Sequence, residues 1–280
     1  MIFRRKKIED EEKTIRILPY VQNQNVRQGV SSIIGTRTSQ QDAWCTGVLT
    51  DKKLTYAVVC DGMGGMEDGG RASQEVTDYF QKEFESKYTG NHLPELLCDI
   101  AEEGDRIVSN LKNKDGSPIR SGTTLAAVVI EENRLSWVSV GDSSIYLLRE
   151  GSLYSLVREH NYEFMAEYRK NDSTFEFNPE VRPDALVSYL GAGGLPFIEV
   201  SKEPYPLEHE DIVILCSDGL YKSLNKEQIA AMFLSENQDM NRVAEMLTMA
   251  AEMNSTGSQD NTTVIVLKYI DQSKIMEVEK

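Results

Sequence analysis

The sequence predicts an α+β fold in which antiparallel β-sheets pack together and helices cover them. Two observations carry this. Short β-branched and apolar runs follow one another across very short turns. That pattern joins strands as antiparallel hairpins, because a parallel pair needs a long crossover. Among these runs lie longer segments with apolar residues at every third or fourth position, the stripe of a helix packed on a core.

In chain order, residues 1–25 read as a tail, with a strand at "TIRILPYV" (14–21). Residues 26–272 read as one domain, and 273–280 as a second tail. "KLTYAVVC" (53–60) is the first clear strand of the domain. Segment 71–88 is a helix through Val76, Phe80, Phe84 and Tyr88. Segment 93–111 is another, with Leu96, Leu97, Ile100, Ala101, Ile107, Val108 and Leu111 on one stripe and Pro94 suited to its first turn. Residues 123–140 hold two strands around Glu-Glu-Asn, and 144–157 two more around Arg-Glu-Gly. Residues 162–185 begin helix-like, turn polar and carry two prolines, which marks a surface excursion or flap. A strand at 211–217, helices at 225–234 and 239–253, and a strand at 261–270 complete the order.

The 280 residues carry a net charge of −15. Such a surface repels nucleic acid and anionic membranes and favours divalent cations. No apolar run is long enough for a membrane helix, and the basic start "MIFRRKKIEDEEK" lacks the apolar core of a signal peptide. The four cysteines form no C-x-x-C pair, so buried reduced thiols and a cytoplasmic location are expected. The three histidines have no metal-ligand spacing. There is no G-x-x-x-x-G-K-[ST] and no clean G-x-G-x-x-G helix start, which speaks against a nucleotide-binding enzyme.

Three times an apolar run leads into Asp: "AVVC" into Asp61-Gly62, "WVSVG" into Asp142, and "VILCS" into Asp218-Gly219. Asp260 precedes the last strand, and Asp42 follows "RTSQQ". Each alone reads as a turn. Together they predict strands of one sheet that end together and crowd their carboxylates side by side. Such carboxylates repel unless protonated or neutralised. Oxygen ligands without His or Cys select a hard cation, Mg²⁺, Mn²⁺ or Ca²⁺, and the EF-hand spacing is absent. A pair of ions about 3.5–4 Å apart with a hydroxide between them suits attack on phosphorus without a protein nucleophile. Arg37 is a candidate for gripping the phosphate through its planar fork.

Six motifs in order then resemble the metal-dependent protein phosphatases of type 2C, the PPM family, in its bacterial form. They are Arg37-x-x-x-x-Asp42, Asp61-Gly62-Met63-Gly64-Gly65, Ser121-Gly122-Thr123-Thr124, Val140-Gly141-Asp142-Ser143, Cys216-Ser217-Asp218-Gly219-Leu220 and Gln259-Asp260-Asn261-Thr262-Thr263. The resemblance spans roughly residues 29–267. It implies a four-layer αββα sandwich of two antiparallel sheets flanked by helices. It implies hydrolysis of phosphoserine and phosphothreonine in phosphoprotein substrates, opposing a Ser/Thr protein kinase, with Mn²⁺ or Mg²⁺ and without a covalent phosphoenzyme. By position, Asp61 would bridge two metals and the Gly62 carbonyl would bind one. Asp218 and Asp260 would ligate the other, and Asp142 with Asp218 would hold a third, weaker one. Asp42 would orient metal-bound water and Arg37 would bind phosphate. A monomer is expected.

The departures from the family pattern are Gln41 where many members have Glu, Met63 in place of the eukaryotic His, Met66 in place of the usual bacterial His, and Gly70 where Glu is common. Glu159-His160-Asn161 matches the family's Asp-His-Ser only loosely.

Overall fold

The computed structural model describes residues 25–64, 68–234 and 239–274. The strand read at 14–21 and the departure at Met66 lie outside the described residues, as does all of the first tail except Asn25.

The chain opens with strands β1 (Val26–Ile33), β2 (Asp42–Leu49) and β3 (Leu54–Gly64). Helices α1 (Asp68–Lys87) and α2 (Leu93–Ser109) follow. Next come β4 (Ser121–Thr123), β5 (Leu125–Glu131), β6 (Arg134–Val140), β7 (Ser144–Arg149) and β8 (Ser152–Ser155). The flap begins with α3 (Tyr162–Tyr168), and two short strands, β9 (Glu199–Val200) and β10 (Tyr205–Pro206), come after it. The chain then runs through β11 (Ile212–Cys216), α4 (Asp218–Tyr221), α5 (Lys226–Ala231), α6 (Met240–Asn254) and β12 (Thr262–Tyr269).

Two sheets form. One has the order β1-β12-β11-β7-β8, the other β10-β6-β5-β3-β2, with β4 added to β3 and β9 to β6. Every pairing is antiparallel. Successive side chains of a strand face opposite sides, so each central strand feeds two cores. In β3, Tyr56, Val58 and Cys60 pack against Phe80 and Phe84 of α1 and Leu97 of α2. Ala57 and Val59 face Val213, Leu215, Ile265 and Leu267 of the other sheet. On that sheet's far side, Ile214, Cys216, Val264 and Val266 pack against Val243 and Leu247 of α6. Three stacked cores make four layers, α/β/β/α, as the sequence implied.

Four predicted strand regions (53–60, 123–140, 144–157 and 211–217), the strand at 261–270 and the long helices all form. Several features differ, the short strands β4, β9 and β10 among them. β1 and β2 were not foreseen. Their apolar residues are thinned by polar ones, and β1 lies at a sheet edge with β12 as its strand partner and α6 across its face. α4 is a single turn, too short for periodicity to reveal. Cys60 and Cys216 are buried as expected, whereas Cys45 and Cys98 are half-buried; all four are free thiols. Among the described residues no helix is long and apolar enough to cross a membrane.

Candidate metal centre

Strand parity sets the site. Asp61 continues the row of Ala57 and Val59, which faces the opposite sheet. Asp42 stands directly opposite Asp61 in the β2–β3 register, so it faces the same way. Ser217 continues the row of Val213 and Leu215, and Thr263 precedes Ile265 and Leu267. The ends of the two sheets therefore meet in hydroxyl and carboxylate groups instead of aliphatic ones.

Asp61 is not at a strand end. β3 runs on to Gly64 and changes partners there, from β5 at Val59↔Ala126 to β4 at Gly62↔Thr123. This corrects the expected turn at Gly62. Glycine is required for proximity instead: a Cβ on Gly62 would meet the Gly69 carbonyl oxygen at 2.1 Å and that of Gln41 at 2.5 Å. The β4 switch also clamps Asp61. Its N–H donates to Thr124 Oγ1 at 2.8 Å, and its carbonyl accepts from the Thr124 N–H at 2.9 Å and the Thr123 hydroxyl at 3.0 Å. Thr124 Oγ1 in turn bonds Ser143 Oγ at 2.6 Å, tying the Asp61 strand to the segment carrying Asp142.

The carboxylates come from both sheets, not from one sheet as the strand-end reading supposed. Asp42 and Asp61 belong to one; Asp218 opens α4 beyond β11, and Asp260 precedes β12, both in the other. Asp142 sits in the link between β6 and β7, where the chain passes from sheet to sheet. Asp42 Oδ2 accepts from Ser217 Oγ at 2.8 Å and Thr263 Oγ1 at 2.7 Å. Asp42 Oδ1 and Asp218 Oδ1 are buried with no hydrogen-bond partner.

The electrostatics are those of crowded anions. Burial raises the Asp42 carboxyl above the usual range against its two hydroxyl bonds, and the charges of Asp218 and Asp260 add to the rise. Asp61 is raised well above that range by burial first, then by Asp42, Asp218, Asp142 and Asp260. Asp142 is pushed up to about 7 by burial and then by Asp218, with Lys222 opposing. Each shift states the same fact: the charged form lacks compensation inside the protein.

Two cations sit at the margin. Arg37 Nη2 contacts Asp260 Oδ2 at 2.6 Å with its side chain half exposed. Its loop is laid on the 259–261 segment by Thr36 N–H to the Gln259 carbonyl at 3.0 Å, and by Asn261 Nδ2 to the carbonyls of Ile34 (2.9 Å) and Ser39 (3.1 Å). Lys222 Nζ pairs with Asp218 Oδ2. Among the described residues no three His, Cys, Asp or Glu side chains close on one point as a finished cage. Arg37 and Lys222 hold one oxygen of Asp260 and one of Asp218.

The donor set still fits divalent metal. It is all oxygen, it holds two buried orphan carboxylate atoms, and its anions repel one another. The residue-by-residue expectations did not include the positioning roles of Thr124, Ser143, Ser217 and Asn261, although all four stood inside the quoted motifs. The signal available was strand parity. Lys222 was also unforeseen, because its place four residues after Asp218 matters only once Asp218 is known to open a helix.

Comparison with known proteins agrees with this architecture. A serine/threonine phosphatase, stp, from Listeria innocua is 26% identical over 230 residues, spanning 79% of this chain and 88% of that protein. The solved structure of the Streptococcus agalactiae serine/threonine phosphatase aligns with a TM-score of 0.75 at 22% identity, over 88% of this chain and 100% of that one. The catalytic domain of the serine threonine protein phosphatase PstP, solved with two manganese ions, aligns with a TM-score of 0.70 at 24% identity, over 88% and 99%. Residues 31–255 match the family model described as protein phosphatase 2C, and the chain belongs to that family.

Proposed function

We propose that this protein is a metal-dependent phosphatase that hydrolyses phosphoserine and phosphothreonine in protein substrates. The observation that carries it is the convergence of Asp42, Asp61, Asp142, Asp218 and Asp260 between two sheet ends, with Asp42 Oδ1 and Asp218 Oδ1 buried and unpartnered. Family membership and the similarity to the Listeria innocua serine/threonine phosphatase support the same reading.

In this reading Asp61 and the Gly62 carbonyl would hold one divalent ion, Mn²⁺ or Mg²⁺, and Asp61, Asp218 and Asp260 would hold a second; the PstP structure holds two manganese ions. When bound, such a pair supplies a hydroxide nucleophile near neutral pH and neutralises charge developing on the phosphate. The chain's own groups do the rest. Thr123 and Thr124 fix the Asp61 backbone. Ser217 and Thr263 hold Asp42 by Oδ2, which leaves Oδ1 as the atom that takes a proton. Arg37 is anchored to Asp260 through one nitrogen, and its planar group carries further donors for phosphate oxygens.

We place the substrate chain beside the flap. A groove of about 1330 Å³ there is lined by Glu159, Phe164, Tyr168 and Phe177 and reaches Tyr221, next to Asp142. Residues 26–272 are taken as the phosphatase domain. A Ser/Thr protein kinase as the opposing enzyme, a cytoplasmic location and action as a monomer belong to the same proposal.

The test is Asp218→Asn, which keeps shape and removes a ligand charge. Hydrolysis of a phosphothreonine peptide should fall by about 10²-fold or more with the thermal unfolding transition retained. Full activity in that variant contradicts the reading.

A further inference from the structure

Residue 222 is where the family expectation and this chain's structure part. The resemblance assigns a third, weaker metal to Asp142 and Asp218. α4 and its C-cap place Lys222 one helical turn beyond Asp218, on the same face, and its Nζ pairs with Asp218 Oδ2. The Tyr221 hydroxyl donates to the Asp142 carbonyl oxygen at 3.0 Å, which fastens the Asp142 link to the helix that carries Lys222. The pairing thus fixes a positive charge on Asp218, one of the two carboxylates to which the resemblance assigns the third ion.

A divalent ion there would have to displace the ammonium from Asp218 or share the pocket with it, at a separation where like charges repel strongly. The lysine side chain is about half exposed (51%), so it can reach the carboxylates without being buried as an isolated charge.

We propose that Lys222 replaces the third metal ion with a tethered cation, so that this protein binds two divalent ions where the family pattern allows three. The inference rests on the two-metal reading above. Its consequence is that the charge balance at Asp142 and Asp218 is built into the chain and does not vary with the free concentration of metal.

The test is metal counting on the full chain. The protein is stripped with chelator and titrated with Mn²⁺, free ion being followed by electron paramagnetic resonance and heat by calorimetry. The wild type should bind two Mn²⁺ per chain. Lys222→Ala should open a third, weaker site. Lys222→Asp, which puts a carboxylate in reach of Asp142 and Asp218, should tighten that site by tenfold or more relative to Lys222→Ala. If Lys222→Asp fails to show a cooperative unfolding transition, Lys222→Ala and Lys222→Gln decide. Three ions on the wild type, or two on both the alanine and glutamine variants, overturn the proposal while leaving the phosphatase reading intact. Fewer than two ions on the wild type overturn the two-metal reading itself, and the proposal with it.

Discussion

Asp42 and Asp61 stand directly opposite each other across the β2–β3 ladder, two carboxylates on one face of a sheet at the edge of an aliphatic core. Like charges directly opposite on neighbouring strands destabilise a sheet. The protein keeps this pair, together with Asp218 and Asp260, at a cost to the fold that protonation or a bound cation offsets.

Asp42→Asn therefore has opposite effects on stability and activity. In chelator at pH 8, the variant should be more stable than the wild type by roughly 1–3 kcal/mol in urea denaturation, since a buried anion and its repulsions are gone. With Mn²⁺ present, phosphopeptide hydrolysis should fall by about 10²-fold or more. A variant less stable than the wild type under chelation would show that Asp42 is not under electrostatic strain.

Thr124 joins the two sheets at the site through Asp61 N–H and Ser143 Oγ. Thr124→Val preserves shape and leaves both groups without their partner. We expect a loss of about 1–3 kcal/mol in stability. kcat should drop by roughly tenfold with KM for a phosphopeptide little changed, because the clamp positions Asp61 and does not touch the peptide. A change confined to KM would place Thr124 in substrate binding instead.

His160 gives the fold a pH dependence of known sign. It is buried against Phe164 and Phe197, and its Nδ1 accepts the Gly141 N–H at 3.2 Å. Burial, then the charge of Arg158, lowers its pKa to about 4. The unfolded chain takes up the proton near pH 6.5 while the folded one does so only near 4. Stability is therefore fully present above about pH 6.5 and is lost as pH falls toward 4. Between pH 7.5 and 5, in chelator, the wild type should lose about 2 kcal/mol more than His160→Gln, whose amide oxygen can still accept from Gly141. Equal slopes for the two proteins would refute the assignment.

Much of this was legible in the chain. The hairpins at 123–140 and 144–157 and the stripes of α1, α2 and α6 have strong periods, and they fix the layers. Asp61, Asp142 and Asp218 stood out by recurrence after apolar runs, Asp260 stands just before the last strand, and Asp42, after "RTSQQ", is set in its role by the family motif. What did not show was the way the sheets share them. Asp61 reads as a strand end because Gly62 and Gly64 follow it, yet β4 supplies a new partner and the strand continues. β2 joins β3 through the short link at 50–53, but polar residues interrupt its apolar run, and with the strand hidden the pairing that sets Asp42 against Asp61 was hidden too. Lys222 carries no signal in the sequence, because its place matters only where Asp218 begins a helical turn.

The most direct measurement of the central claim is the rate of phosphate release from a phosphothreonine peptide by the metal-stripped protein, before and after Mn²⁺ is restored. The account predicts no turnover above background in chelator and full recovery with Mn²⁺ or Mg²⁺. Hydrolysis that persists in chelator, or none under saturating Mn²⁺, would contradict it.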